Sequence, residues 1–204
     1  AYFPNLTYLA CSNNQLTSLD LSNNPSLTRL ECVSNQLSSL DLTNNPNLEI
    51  LYCYSNRLTS LDVTKNNDLI ELWCYSNQLT ELDISNKPNL ERVECSHNKI
   101  TTLNAANDKN LRMLYCNWSY ALSDINISNT PALEDLRVMS GKLSNIDVSE
   151  SPKLKSFYCS SNALTNLDVS KNTTLTELSC GSNHLLSLDV SKNTSLSTLT
   201  ASGQ

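Results

Sequence analysis

The sequence of 204 residues contains only three glycines and two histidines. The shortage of glycine argues against a calcium-binding β-roll, whose turns are glycine-rich. Only two histidines, His97 and His184, could act as general acids or bases. No phosphate-binding loop or zinc motif is present. We therefore expect no catalytic activity, no cofactor and no metal site.

Basic residues are also few, with 14 Lys and Arg against 20 Asp and Glu and a formal net charge of -6. Nucleic-acid binding depends on clustered Lys and Arg, which are absent here, so we expect no nucleic-acid partner. No apolar run of about 18 residues is present, so we expect no membrane-spanning segment. The sequence shows no signal peptide, but a chain that opens AYFPNL could be a trimmed product, so this absence indicates little.

A repeat of 21 residues fills the sequence. Every step between the leucines that head the repeats is 21 residues, except for 22 between Leu111 and Leu133, where one residue is inserted near Asn117–Tyr120. The head leucines are Leu6, Leu27, Leu48, Leu69, Leu90, Leu111, Leu133, Leu154, Leu175 and Leu196. No linker interrupts the series, so we predict a single domain over residues 1–204, with about nine and a half repeats.

Each repeat carries apolar residues at positions 1, 4, 6, 11, 14 and 16, counted from its head leucine. The 4/6 and 14/16 pairs alternate like strands with one buried face. One repeat cannot bury its leucines alone, but stacked repeats can, with backbone groups paired about 4.8 Å apart as in a parallel sheet. The repeat is too short for two strands and a full helix, so we expect the second half to be extended, 3₁₀-helical or part of a second sheet.

The pattern LxxLxCxxNxLxxLDLSxNxx resembles the leucine-rich repeat family, in particular its bacterial 21-residue class, IRREKO. The resemblance implies a β-rich, right-handed solenoid with a parallel sheet on its concave side, in a secreted or cell-surface recognition module, and it implies no reaction. Departures from the pattern lie between residues 105 and 141, where Val138 replaces Cys and Gly141 replaces Asn. We expect the stacking to be least regular there.

Cysteine fills position 6 in eight repeats. This is an inward strand position, which Val138 fills in the seventh repeat, so cysteine should act as a small buried apolar residue. Neighbouring Cα atoms would lie within disulfide range, but side chains in a parallel ladder project side by side. We therefore favour buried free thiols over disulfides or a metal ladder. The cysteines are Cys11, Cys32, Cys53, Cys74, Cys95, Cys116, Cys159 and Cys180.

Two polar columns accompany the leucines. Asn at position 9, from Asn14 to Asn183, should bridge the backbones of successive repeats. Asp at position 15, from Asp20 to Asp189, should face solvent, because stacked like charges repel strongly in an interior. Each Asp should accept hydrogen bonds from nearby hydroxyls or turn amides, and a calcium ladder is the alternative.

Aromatic residues concentrate at positions 5, 7 and 8 of the central repeats, which should project from the concave sheet. An aromatic cluster with polar edges is typical of a binding hot spot. The alternative is that Tyr and Trp merely favour strands, and their concentration in central repeats favours binding. The candidate ligand-binding residues are Tyr52, Tyr54, Trp73, Tyr75, Glu94, Tyr115, Trp118, Arg137, Met139 and Tyr158.

We expect this face to bind a protein partner, with glycan binding or a structural spacer role as alternatives. By the resemblance, the protein should be extracellular or on the cell surface. The end repeats need caps. Tyr2, Phe3 and Pro4 resemble an N-terminal cap, whereas nothing after Leu199 resembles a counterpart, so we expect C-terminal fraying or a self-association contact.

Overall fold

The computed structural model describes residues 3–204, which wind into a parallel β-solenoid and form no helix. Ten strands pair into one sheet, and three others form a smaller one. The strands are β1 (Tyr8–Ala10), β2 (Arg29–Glu31), β3 (Ile50–Tyr52), β4 (Glu71–Trp73), β5 (Glu81–Asp83), β6 (Arg92–Glu94), β7 (Thr102–Asn104), β8 (Met113–Tyr115), β9 (Asp124–Asn126), β10 (Asp135–Arg137), β11 (Ser156–Tyr158), β12 (Glu177–Ser179) and β13 (Thr198–Thr200).

The register of the ten-stranded sheet follows the repeat. Each strand covers positions 3 to 5 of its coil and pairs in parallel with the same positions of the next, so that Tyr52 lies opposite Trp73 and Trp73 opposite Glu94. The pairing continues across the inserted residue, where Tyr115 lies opposite Arg137. In that coil the amide of Leu122 donates to the carbonyl of Ser119 at 2.8 Å, which closes the lengthened turn.

The second half of a coil forms a strand only in coils four to six, where β5, β7 and β9 make the three-stranded sheet. Elsewhere among residues 3–204 it is a succession of turns. In those three coils the residue at position 18 has a left-handed backbone, as in Asn86, Asn107 and Asn129. Of the conformations that the sequence left open, the structure has a short second sheet flanked by turns.

The leucines form one continuous core between the two halves of the coils, from Leu21 to Leu185. A fully buried leucine side chain contributes about 2 kcal/mol, so stacking supplies the stability that one coil lacks. The expected burial of the thiols is confirmed: seven of the eight cysteines are buried and Cys11 is half-buried, and all eight are free. Burial raises the pKa of Cys32 to about 12, so this thiol is not a reactive thiolate at neutral pH.

The position-9 asparagines bridge successive coils, as predicted. The Asn56 amide nitrogen donates to the carbonyls of Cys32 and Cys53 at 2.9 and 3.1 Å, and its oxygen accepts from the amide of Leu37 at 3.0 Å. Gln204 stands at the same position of the last coil, where it donates to Cys180 and Ala201.

Gln204 thus continues the amide column, but Leu199 is 47% exposed, so the expectation that nothing after Leu199 resembles an apolar cap stays a prediction. A glutamine is not the residue of the repeat pattern, and the amide function it shares with asparagine was overlooked. At the other end, Phe3 accepts from the Asn24 side chain at 2.9 Å through its carbonyl, while Tyr2 lies outside the described residues.

A buried polar column in the second half of each coil, at position 19, was missed from the sequence. Asn45 donates to the carbonyls of Leu21 and Asn24 in the preceding coil at 3.2 and 2.9 Å. Its side-chain oxygen is buried and has no partner among the described residues, and the same holds for Asn66, Asn172 and Asn193. Along the column the residues are Asn24, Asn45, Asn66, Lys87, Asp108, Thr130, Ser151, Asn172 and Asn193, all of them buried.

The position-15 aspartates face solvent, as predicted. Asp20 accepts from the hydroxyl and the amide of Ser22 at 2.7 and 3.0 Å, and these two bonds lower the pKa of Asp20. Asp41 accepts from Thr43 in the same way. Each carboxylate thus stabilises the turn that follows it.

Candidate functional site

The candidate residues of coils three and four pack together on the ten-stranded sheet. The rings of Tyr54 and Tyr75 stack with centroids 4.2 Å apart, and those of Tyr52 and Trp73 stack at 4.8 Å. Tyr54 also meets Trp73 at 6.4 Å. We call these four residues the aromatic cluster. Each of the four rings is half-buried, because it packs against its neighbours on the surface of the sheet and does not enter the core.

A second group lies in coils six to eight, where the Arg137 guanidinium sits between two rings. It is 4.5 Å from the centroid of Tyr115 and 4.8 Å from that of Tyr158. Asp135 of the same strand binds this guanidinium with two hydrogen bonds of 3.0 and 3.1 Å. Arg137 is therefore fixed between planar neighbours, with its charge already matched.

Three tyrosines of this face donate their hydroxyls to a carboxylate of the next coil. Tyr52 donates to Glu71 and Tyr115 to Asp135, each at 2.5 Å, and Tyr158 donates to Glu177. Burial and the adjacent carboxylate raise the pKa of Tyr52 to about 12, so the phenol stays protonated. These pairs, from position 5 of one coil to position 3 of the next, were not predicted, although the acids stand in the sequence at a fixed spacing.

The backbone at position 8 is left-handed in all ten coils, a feature that sequence reasoning missed. Eight coils place Ser, Asn or Gly there, whereas coils five and six place His97 and Trp118. A left-handed backbone is uncommon for bulky residues, and such strain concentrates at functional sites. The two rings stack at 4.5 Å with an interplanar angle of 18°, and Trp118 is 40% exposed.

The two groups border a shared cavity of about 350 Å³. Its lining comes from four consecutive coils, and six of the ten candidate residues take part in it. Hydrogen bonds fix its floor, because the amide of Asn117 donates to the Ser96 hydroxyl at 2.9 Å and the amide of Met139 donates to the Asn117 side chain at 3.1 Å. The lining residues are Tyr75, Glu94, Ser96, His97, Tyr115, Asn117, Trp118, Arg137 and Met139.

The remaining four candidate residues flank this cavity. Tyr52, Tyr54 and Trp73 belong to the aromatic cluster, and Tyr158 covers the far side of Arg137. A larger groove of about 450 Å³ lies beside β5, but it is lined by residues such as Asp62, Asp83 and Asn104 and by no aromatic ring. Of these two cavities, the one with aromatic walls thus lies on the face of the ten-stranded sheet.

Comparisons with solved structures place this geometry in a family. The functional domain of InlJ from Listeria monocytogenes, which includes a cysteine ladder, is 35% identical, with a TM-score of 0.84 over 88% of this chain and 40% of that one. The chain belongs to the leucine-rich repeat family. The leucine-rich repeat domain of APL1B is 26% identical, with a TM-score of 0.78 over 96% of this chain and 61% of that one.

A third solved leucine-rich repeat structure, YopM from Yersinia enterocolitica WA-314, is 27% identical, with a TM-score of 0.69 over 96% of this chain and 46% of YopM. This leucine-rich repeat chain therefore spans less than two thirds of each of these three structures. No protein-family model matches the chain, and neither does any curated protein.

Across residues 3–204 of the leucine-rich repeat chain, no helix is long and apolar enough to cross a membrane. Over the same range, no group of three His, Cys, Asp or Glu side chains is arranged to hold a metal ion. His97 stacks on Trp118 and His184 is exposed. The face of the ten-stranded sheet can therefore offer stacking, hydrogen bonding and charge to a ligand.

Proposed function

We propose that this leucine-rich repeat chain is a non-catalytic recognition module that binds a protein partner through the face of its ten-stranded sheet. The observation that carries the proposal is the continuous surface formed by the aromatic cluster, the cavity and the Arg137 group. Tyr, Trp and Arg dominate the energy of protein interfaces when they lie together and partly desolvated. The leucine-rich repeat structures of InlJ and YopM, similar in fold, support a recognition role.

Glycan binding is the less favoured alternative. A sugar ring stacks on a free aromatic face, but here the faces of Tyr54 and Tyr75 cover each other at 4.2 Å and those of Tyr52 and Trp73 at 4.8 Å. The hydroxyls of Tyr52 and Tyr115 are also taken up by neighbouring carboxylates. Protein side chains, which can pack against ring edges, fit this surface better.

We infer from the same neighbours that the protein acts at a bacterial cell surface or in secreted form. InlJ and YopM come from bacteria, and free, buried thiols are compatible with an oxidising compartment because burial denies oxidants access to them. The formal net charge of -6 argues against a nucleic-acid partner.

Affinity capture from host and microbial surface extracts tests the proposal. The captured protein is purified, and its dissociation constant is measured by calorimetry against three forms of this chain: the native form, the double variant Trp73→Ala/Tyr75→Ala, and Leu186→Ala as control. Leu186 is 97% exposed and lies outside the sheet face. We expect the double variant to lose at least about tenfold in affinity, and the control to bind normally.

Equal binding by the double variant would contradict the proposal and support a spacer role. A glycan array probed with the native chain is the companion measurement. Sugar binding that disappears with Trp73→Ala would instead establish the glycan alternative.

A further inference from the structure

We propose that the cavity between Tyr75 and Met139 accepts a cationic side chain, lysine or arginine, of the protein partner. This inference rests on the proposed function and specifies which chemistry the partner brings to the centre of the face. Three observations carry it: the rings around the cavity, a carboxylate without a cation, and the charge balance of the face.

The rings of Tyr75, Tyr115 and Trp118 reach the cavity from three successive coils, and one face of Tyr75 is covered by Tyr54 and one face of Tyr115 by Arg137. An aromatic ring attracts a cation to its face through its quadrupole, and this attraction strengthens as water is excluded. Trp118 is stacked on His97 on one side, so its position is fixed while 40% of it remains exposed. The ring is thus pre-organised for a group that arrives from solvent.

Glu94 provides the charge. It stands in β6 at the centre of the sheet, opposite Trp73 on one side and Tyr115 on the other. One of its carboxylate oxygens accepts from the amide of Ser96 at 3.0 Å, which fixes the side chain at the cavity. Among residues 3–204, no basic side chain forms a salt bridge with Glu94. The carboxylate is half-buried and lacks a counter-ion.

Every arginine on the rest of this face is already paired with a carboxylate of the chain. At positions 3, 5, 7 and 8, three arginines stand against five carboxylates. Each arginine is engaged within the chain: Arg29 by Glu31, Arg92 by Glu71 and Arg137 by Asp135. Of the two remaining carboxylates, Glu177 accepts from the hydroxyl of Tyr158. Glu94 is therefore the negative group that a partner can neutralise, and charge complementarity selects a basic residue.

A neutral apolar side chain is the competing occupant, because Met139 and the rings would also accept it. It would leave the Glu94 carboxylate desolvated and without a counter-ion, which costs more than the apolar contact returns. The volume of about 350 Å³ lies near the lower end for small-ligand sites and suits one long side chain.

The test uses the full chain and three small probes: the Nα-acetyl, N-methylamide derivatives of arginine, lysine and norleucine. Norleucine has the length of lysine without its charge. Nuclear magnetic resonance follows the indole N–H signals of Trp118, which lines the cavity, and of Trp73, which does not. We expect the Trp118 signal to shift with the two cations and to saturate with a dissociation constant in the millimolar range. Norleucine should cause no shift.

Two matched variants locate the charge. Glu94→Gln keeps the oxygen that accepts from Ser96 and removes the charge, and it should weaken cation binding at least tenfold. Glu177→Gln removes a carboxylate from the same face four coils away and should leave binding unchanged. Addition of salt should weaken binding of the cations to the native chain.

The cation proposal is overturned if norleucine binds as well as lysine, if Glu94→Gln binds the cations normally, or if saturating cation leaves the Trp118 signal in place. These outcomes remain separate from the capture experiment. If Trp73→Ala/Tyr75→Ala still abolishes partner binding, only the cation proposal fails. If that variant binds normally too, the proposed function fails with it.

Discussion

The two halves of each coil differ in how their polar column is bonded. In the first half, the position-9 amide uses both its donor and its acceptor, as Asn56 does with Cys32, Cys53 and Leu37. In the second half, the position-19 asparagine uses only its donor, and its oxygen is idle, as in Asn66. The first column holds Asn or Gln in eight of ten coils, whereas the second also holds Lys, Asp, Thr and Ser.

The difference shows that hydrogen-bond satisfaction sets how freely a repeat position varies within one chain. An amide that bonds on both sides has no substitute of the same reach, because a hydroxyl is too short and a carboxylate cannot donate. Where one side is idle, other polar groups find a partner. Thr130 and Ser151 do so by bonding to each other at 3.0 Å.

The largest effect should come from the same substitution made in both columns of coil three. Asn56→Ser leaves the Leu37 amide without its partner and removes one of the two side-chain donors to each of the Cys32 and Cys53 carbonyls, so it should cost about 3 kcal/mol of unfolding free energy. Asn66→Ser should cost about 1 kcal/mol, because the Asn66 oxygen makes no bond and the carbonyls of Leu42 and Asn45 that it serves keep backbone donors. Urea unfolding measures both losses, provided that the slope of the unfolding free energy against urea concentration is the same in the variants and the native chain. Equal losses would refute the distinction between the columns.

The next effect concerns Asp108, where a carboxyl stands in the second column. One oxygen accepts from the Lys87 amide at 2.6 Å and the other is buried without a partner among the described residues. Burial raises the pKa of Asp108 to about 7, with a further rise from Asp83 and an opposing effect of Lys87. Below pH 3.8, the ordinary aspartate pKa, the carboxyl is protonated in both the folded and the unfolded chain. Its ionisation then makes no contribution to the free energy of unfolding.

As the pH rises from about 4 to about 7, the unfolded chain releases this proton while the folded chain retains it, so the free energy of unfolding falls across that window. Asp108→Asn restores the usual residue of the column. It should flatten that decline and raise stability at pH 8 by on the order of 2 kcal/mol. Unfolding curves measured at pH 4, 6 and 8 test this, and a variant that keeps the native pH dependence would count against it.

A smaller effect is expected from substitution of a cysteine at position 6 by the residue type found at position 16, the equivalent place in the second half of the coil. Position 16 corresponds to the cysteine position and holds aliphatic residues such as Val63 and Val169. Cys53→Val should therefore change stability by less than about 1 kcal/mol, as Val138 already fills the slot. Cys53→Ser should cost about 2 kcal/mol, because it buries a hydroxyl without an assured partner. A severe loss with valine would show that the thiol does more than fill space.

The smallest effect concerns the left-handed position 8. His97→Ser gives coil five the residue of its neighbours, which relieves backbone strain but removes the stack on Trp118. The two contributions oppose each other, so stability should change by less than about 0.5 kcal/mol. Thermal unfolding measures this, and a loss above about 1 kcal/mol would mean that stacking outweighs the strain.

The sequence predicted most of what depends on period. Leucine spacing gave the inward faces, the thiol column and the bridging role of Asn56 and its equivalents, because those features repeat with every coil. It also placed the aromatic residues on one face. The role of these residues in binding stays a prediction.

Features that depend on context escaped the sequence. Asn23 and Asn44 stand at the same position as Asn86 but lack its left-handed backbone, so residue type does not decide where the second sheet forms. The pairing of Glu71 with Tyr52 and Arg92, which leaves Glu94 without a cation, required the register of three coils. Such details emerge only when neighbouring strands are in place.

From Asn35 onwards, the position-9 amides reach back to the preceding coil, as Asn56 does to the carbonyl of Cys32 and the amide of Leu37. A whole 21-residue copy therefore brings the bonds its predecessor needs and leaves its own requirement to its successor. Gene duplication in units of one copy can lengthen or shorten the ten-stranded sheet and keep this bonding pattern. The width of the sheet can therefore change during evolution by one strand at a time.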